Sequence, residues 1–220
     1  MLETFNMKDA KAAATPLDLN LKYSRKENMQ SNNKIEGTEF PYRQTIGSLL
    51  YLACGTRPDL AYASTFMSQF NEVYKEEPWR GVKHILRYLQ GTKFRKLNFK
   101  KTGKCLQLYS VADWGGDKTD RRSFSGYMIL IVDAPVYWSS KKQSVTALSS
   151  TEPEYVAVCH VAKKVLWINN LLKETCMDLV SILQSICVNN QGAIFIAKNG
   201  VTSERSECID IKYFFLCDLV

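Results

Sequence analysis

The stretches that decide the fold are YSVADW at residues 109–114, RRSFSGY at 121–127 and SSTEPEY at 149–155. Apolar and polar residues alternate near the first two, which is typical of strands with one buried face. The third opens an apolar pattern with helical spacing, and its two glutamates stand where acidic residues complement the helix dipole. We therefore predict strands over 106–109, 124–132 and 136–139, then a long helix from Thr151 to about Thr175 that Ser150 or Thr151 caps.

Downstream of the long helix, the apolar run at 182–188 predicts another strand, and short helices are predicted over 193–198 and 210–220. Antiparallel strands, a helical crossover and a further strand together indicate an α/β fold. Upstream, helical spacing predicts three helices over 42–54, 59–70 and 78–91, and alternation predicts a strand over 97–100. Residues 1–40 predict an extended tail and a polar linker. The sequence thus divides into 1–40, a helical segment over 41–95 and an α/β domain over 96–220.

The net charge of +7 is concentrated in one stretch of the chain. Residues 80–122 hold 12 basic and 3 acidic residues, a net charge of +9, while the segments 1–40, 41–79 and 123–220 are each neutral or −1. Such a block attracts polyanions, of which nucleic acid is the main one. A solvated basic surface without a partner is the alternative. The candidate nucleic-acid contacts are Arg80, Lys83, Arg87, Lys93, Arg95, Lys96, Lys100, Lys101, Arg121 and Arg122.

Seven cysteines without a C-x-x-C pair, and two isolated histidines, form no zinc-binding pattern. An odd, scattered set of cysteines is typical of free thiols in a reducing compartment. The sequence contains neither a signal-peptide pattern nor an apolar run long enough to span a bilayer. We therefore expect an intracellular protein, cytoplasmic or nuclear, without a membrane partner.

Several blocks of the sequence, in this order, resemble the Pol polyproteins of copia-type retrotransposons. They are YRQTIGSLLYL at 42–52, TRPDL at 56–60, LRYLQGT at 86–92, the three stretches quoted above, SSKKQ at 139–143, NQGAI at 190–194 and IDIKY at 209–213. The resemblance covers nearly the whole chain. It implies that 41–95 is the helical connection segment that follows the reverse transcriptase. It also implies that 96–220 is a ribonuclease H-like domain with a mixed sheet and flanking helices, whose last strand and helix would lie beyond residue 220.

In this family, ribonuclease H chemistry uses two divalent ions, normally Mg²⁺, held by a cage of carboxylates. The resemblance places the first carboxylate position at Val111, the second at Glu154, the third at Asn189 and a fourth beyond residue 220. Asp113 is displaced from Val111 by about 6–7 Å along the strand, too far to replace it. Because Glu154 is the one acid among the three positions, we expect severely weakened Mg²⁺ binding and no retained metal site.

Three functional interpretations remain open. The first is a degenerate Pol fragment that ancestrally cleaved RNA in RNA–DNA hybrids and is catalytically inactive here. The second is a non-catalytic module that binds an RNA–DNA hybrid or another nucleic acid through the basic segment 80–122. The third is a fragment recruited as an interaction or effector protein. The sequence contains no Asp-Asp pair of the kind that a polymerase site uses, so DNA synthesis is not expected from this chain.

Overall fold

The computed structural model describes residues 1–18, 23, 40–72, 74–100, 106–117, 119–175 and 186–199. The chain divides into two compact units, Met1–Leu97 and Asn98–Val220. Each unit has its own hydrophobic core, and the two are described separately below.

The first unit is helical. Its elements are α1 (Tyr42–Gly55), a single 3₁₀ turn (Pro58–Leu60), α2 (Ala61–Ser68) and α3 (Glu76–Gly91). The predicted helix over 59–70 is therefore shorter than expected and is preceded by the 3₁₀ turn, because proline fixes φ at the first position of a turn. The third helix begins two residues before Pro78, since proline is tolerated in a first turn whose N–H groups have no partner within the helix.

Residues 1–18, which the sequence predicts to belong to an extended tail, instead fold back on this helical core. Met1, Leu2, Phe5, Met7, Ala13 and Leu17 pack against its buried residues. Backbone hydrogen bonds such as Phe5 N–H to Met1 O and Ala13 N–H to Arg87 O hold the segment. Helical or strand periodicity does not detect such a segment, because it packs without regular secondary structure. The linker expected after it lies mostly outside the described residues.

The second unit is an α/β structure. Its elements are β1 (Gln107–Ala112), β2 (Phe124–Ile131), β3 (Ala134–Lys142), α4 (Thr151–Thr175), β4 (Ile186–Val188) and α5 (Gln191–Asn199). The strand order in the sheet is β3-β2-β1-β4, with β1–β2 and β2–β3 antiparallel and β1–β4 parallel. A parallel neighbour requires a long crossover, which contains α4. The predicted α/β class and mixed sheet are confirmed.

Helix α4 covers one face of this sheet. Val161, Val165 and Ile168 on α4 form a buried cluster with Leu108 of β1 and Ile129 of β2. A second cluster joins the helix to β4 and α5 through Tyr155, Val158, Cys159, Ala162, Ile186, Val188, Ile196 and Ala197. Both bounds of α4 agree with the prediction from its apolar spacing. The helix therefore brings its first turn to the ends of β1 and β4.

Three local predictions need comment. The strand predicted over 97–100 is wrong, because these residues form no strand. Alternation is not enough for a strand, which also needs a neighbour for its backbone hydrogen bonds. The residues predicted as a helix over 210–220, and those at 182–185 ahead of β4, lie outside the described residues. Within the described ranges, no helix has the length and apolar character that a membrane crossing requires.

Candidate active site and basic surfaces

Two of the three predicted carboxylate positions lie side by side at the end of the sheet. Ser110 of β1 is in register with Val188, the last residue of β4, and the residues that follow this pair are Val111 in β1 and Asn189 just after β4. Val111 is 51% exposed and lies on the face opposite α4, because Leu108 packs on that helix and alternate residues of a strand face opposite sides. Asn189 is also exposed.

The third predicted position, Asn189, lies just before α5, and the first turn of α5 packs against α4. Asn190 caps this helix, since the Ala193 N–H donates a 2.9 Å hydrogen bond to its side-chain oxygen. Gly192 then allows a close approach to α4, because a Cβ at this residue would lie only 2.8 Å from Thr151 Oγ1. Asn189 therefore immediately precedes a turn that is packed against the first turn of α4.

Glu154 lies in that first turn and is buried. The Ala112 N–H donates a hydrogen bond to its carboxylate, so Glu154 meets β1 one residue beyond Val111. Its Oε2 atom has no hydrogen-bond partner among the described residues. Burial raises the pKa of Glu154, and the hydrogen bond from Ala112 opposes this rise without cancelling it. The three predicted positions thus lie near one end of the sheet, with Glu154 on the α4 side and the Val111 side chain on the opposite face.

The other acids near this end of the sheet have different partners. Asp113 Oδ1 accepts a 2.7 Å hydrogen bond from the Phe124 N–H, and burial raises the pKa of Asp113. Asp117 accepts a hydrogen bond from Lys142. Glu152 accepts a 2.8 Å hydrogen bond from the Leu148 N–H. In the described part of the chain, no group of three or more His, Cys, Asp or Glu residues could hold a metal ion.

Glu152 also interacts with Ser149 ahead of α4, whose first residue is Thr151. The Glu152 N–H approaches Ser149 Oγ at 3.4 Å, and Ser149 Oγ approaches the Glu152 carboxylate at 3.3 Å. This Ser-x-x-Glu arrangement is similar to a capping box, but the Glu152 carboxylate accepts from the N–H of Leu148 and not from that of Ser149. Sequence reasoning could have found it, because the spacing of Ser149 and Glu152 matches this pattern.

The residues at this end of the sheet do not fit a pair of hard divalent cations. Val111 has no donor atom, Asn189 offers a neutral amide oxygen, and Glu154 is an acid whose burial disfavours its charged form. Mg²⁺ is bound mainly by anionic and water oxygens in octahedral geometry. One disfavoured carboxylate and one amide fall short of that donor set.

A buried polar clasp beside these positions was missed by sequence reasoning. Gln143 Nε2 donates hydrogen bonds to Ser125 Oγ at 2.6 Å and to the Pro153 carbonyl at 2.9 Å. The clasp therefore joins the end of β3 to β2 and to the first turn of α4. Gln143 belongs to the SSKKQ block, but no local periodicity distinguishes a buried glutamine from an exposed one.

The predicted basic contacts are divided between the two units. Arg80, Lys83, Arg87, Lys93, Arg95 and Lys96 belong to the first unit, and Lys100, Arg121 and Arg122 to the second, while Lys101 lies outside the described residues. All nine described side chains are exposed except that of Arg87, which is partly buried. Some also have partners within the chain: Arg80 pairs with Glu76 at 2.6 Å, and Arg87 Nε donates to the Lys11 carbonyl.

Comparison with known proteins identifies the family. No family model matches the chain. The chain is 37% identical over 221 residues to the retrovirus-related Pol polyprotein from transposon TNT 1-94 of Nicotiana tabacum, covering 100% of the chain and 16% of that protein. It is 40% identical over 219 residues to the corresponding polyprotein from transposon RE1 of Arabidopsis thaliana, covering 98% of the chain and 14% of that protein.

The chain belongs to the retrovirus-related Pol polyproteins of copia-type transposons. It spans less than a fifth of the length of these curated relatives. Over 136 residues it is also 42% identical to the secreted RxLR effector protein 161 of Plasmopara viticola, covering 61% of the chain and 96% of that protein. A solved ribonuclease H1 in complex with RNA/DNA hybrid covers 52% of the chain and 75% of its own, with 14% identity and a TM-score of 0.35.

Proposed function

We propose that this chain is a Pol fragment whose ribonuclease H-like unit does not cleave RNA–DNA hybrids. The observation that supports the proposal is the composition of the corner formed by β1, β4 and α4. There, Val111 near the end of β1 and Asn189 just after β4 follow the paired residues Ser110 and Val188, and Glu154 on the α4 side is a buried carboxyl with a raised pKa. Two-metal hydrolysis needs anionic oxygens that hold both ions about 4 Å apart, and this donor set is too small and too weakly charged to do so.

The test is a cleavage assay of the full chain on an RNA–DNA hybrid with Mg²⁺ or Mn²⁺. We expect no cleavage that depends on Glu154. The matched control is the Glu154→Gln variant, which removes the carboxylate and keeps the size of the side chain. Cleavage by the unmodified chain that the Glu154→Gln variant lacks would overturn the proposal, whereas equal traces in both would identify a contaminating nuclease.

A gain-of-binding variant tests the same proposal from the other side. Val111→Asp and Asn189→Asp change side-chain size little, and both positions are exposed, so the new carboxylates remain hydrated. We expect the double variant to bind Mn²⁺ at least tenfold more tightly than the unmodified chain, since it adds two anionic ligands at the ends of the neighbouring strands β1 and β4. Isothermal titration calorimetry measures this difference. Equally tight Mn²⁺ binding by the unmodified chain would contradict the argument from the donor set.

A second candidate function is non-catalytic binding of nucleic acid. It is favoured by the exposed cations of residues 80–122, because Lys and Arg contacts to phosphates give sequence-tolerant affinity. We expect the full chain to bind an RNA–DNA hybrid without divalent ions, with an affinity that falls steeply with salt. Removing one contact, as in Lys96→Ala, should reduce the slope of log K against log salt by about 1. Lys173→Ala, at an exposed position near the end of α4, is the control, and a lack of binding at low salt would exclude this function.

A further inference from the structure

The turn that follows α3 presents an aromatic ring to solvent among three cations. Phe94 is 83% exposed, and its neighbours Lys93, Arg95 and Lys96 are exposed as well. The Lys93 ammonium lies 5.2 Å from the centroid of the Phe94 ring. An exposed aromatic ring next to several cationic side chains is the combination that single-strand-binding proteins use to stack bases and contact phosphates.

A buried hydrogen-bond network fixes the beginning of this turn. The Arg57 side chain, only 9% exposed, donates to the Thr92 carbonyl at 3.2 Å and also to Thr92 Oγ1. The same guanidinium makes two 2.9 Å hydrogen bonds to Asp59, whose carboxylate also accepts from Tyr88 Oη at 2.8 Å. Bidentate Arg–carboxylate pairs have a rigid geometry. The backbone at Thr92 is therefore fixed to a point 35 residues away in the sequence.

The upper part of the turn is held as well. The Arg95 N–H donates to the Thr92 carbonyl at 3.0 Å, which closes the turn around Lys93 and Phe94. The Arg95 guanidinium donates to Tyr88 Oη at 2.9 Å and lies 5.7 Å from the centroid of that ring. Arg95 is thus held in place, while the Lys93 and Lys96 side chains remain exposed beside Phe94. A rigid turn with an outward ring lowers the entropy cost of binding a planar ligand.

We infer that the turn over residues 92–96 is a base-stacking platform for single-stranded nucleic acid, with Phe94 as the stacking ring and Lys93 and Lys96 as phosphate contacts. This inference rests on the second candidate function, nucleic-acid binding, and names the form of nucleic acid and the residue. Proteins that bind single strands combine cationic side chains along the backbone with aromatic side chains on which bases stack. A duplex offers its bases to such a ring only at its ends. Unpaired bases are therefore the fitting partner.

The test measures binding of the full chain to a fluorescent twelve-nucleotide oligothymidylate and to an abasic strand of the same length, at constant low salt. We expect Phe94→Ala to weaken binding to oligothymidylate by about 5- to 150-fold, and to leave binding to the abasic strand unchanged. Phe94→Trp should retain or increase binding to oligothymidylate, because the larger ring also stacks. As Phe94 is exposed, these changes leave the core intact, and far-ultraviolet circular dichroism verifies it.

The matched control is Tyr51→Ala. Tyr51 is 81% exposed in the same unit, and its neighbours in α1 over residues 47–55 include no basic residue. We expect this change to leave both affinities unaltered. Equal effects of Phe94→Ala on the base-bearing and abasic strands, or no effect on either, would overturn the stacking platform and leave nucleic-acid binding intact. Failure of the unmodified chain to bind any strand would instead overturn nucleic-acid binding, and the platform with it.

Discussion

At the scale of single residues, Glu154 stands at a predicted carboxylate position without the acidic neighbours that a metal site requires. Its carboxyl is buried, accepts one hydrogen bond from the Ala112 N–H and leaves Oε2 without a partner among the described residues. A bound cation would favour the charged form of this group, but Val111 and Asn189 supply no negative charge to help hold one. Desolvation therefore dominates, and the pKa of Glu154 is raised.

This raised pKa predicts how the stability depends on pH. The folded chain holds the Glu154 proton to higher pH than the unfolded chain does. The contribution of Glu154 to the free energy of unfolding is therefore greatest below its ordinary pKa of 4.5 and falls as pH rises through the raised folded value. We expect the stability of Glu154→Gln, relative to the unmodified chain, to increase between pH 4 and pH 7 in urea titrations. A difference that does not change with pH would contradict the raised pKa.

The alanine variant separates charge from hydrogen bonding at the same residue. Glu154→Gln keeps an oxygen that can accept the Ala112 N–H, whereas Glu154→Ala leaves that N–H without its acceptor. We therefore expect Glu154→Ala to cost about 1–3 kcal/mol of stability at pH 4, where the charge plays the smallest part. The same urea titrations provide the measurement, and stability equal to that of the unmodified chain would show that the bond is replaced by water.

At the scale of elements, the Gln143 clasp joins three pieces of the second unit. Its hydrogen bonds are directional and therefore restrict the position of α4 relative to the sheet in addition to the apolar contacts. We expect Gln143→Ala to cost about 1–3 kcal/mol, since it leaves Ser125 Oγ and the Pro153 carbonyl without their buried donor. Hydrogen exchange of the amides in the first half of α4 measures this loss. Ser144→Ala, at the exposed neighbouring position, should change exchange little, and an equal effect of both would refute the clasp.

At the scale of the whole molecule, the basic block of the sequence becomes two groups of cations. The boundary between the units falls at Leu97, inside the segment 80–122 that carries the net charge of +9. Six of its basic residues belong to the first unit and six to the second, while all three acidic residues belong to the second. The part of segment 80–122 that lies in the first unit therefore contains no acidic residue. This distribution of charge favours the turn at 92–96 as a binding surface for polyanions.

The sequence alone predicted much of the local structure. The apolar spacing of α4 predicted both of its ends, and the alternation around Tyr127 predicted β2 to within one residue, since each pattern reports which face a neighbouring layer will cover. The same patterns failed at residues 97–100 and at 1–18. In the first case an alternating segment has no strand beside it among the described residues, and in the second an irregular, partly buried segment packs against the helices.

The order of short sequence blocks along the chain indicated the family. It also indicated the three predicted carboxylate positions, Val111, Glu154 and Asn189. Tertiary structure alone decided three other features. Val111 lies near Asn189, Glu154 accepts a hydrogen bond from Ala112, and Arg57 donates hydrogen bonds to Thr92. These contacts join residues that are distant in sequence, and their geometry depends on strand register and helix packing, which no local periodicity encodes. The raised pKa of Glu154 was also decided by tertiary structure, because it follows from burial and from the neighbours that folding brings to this residue.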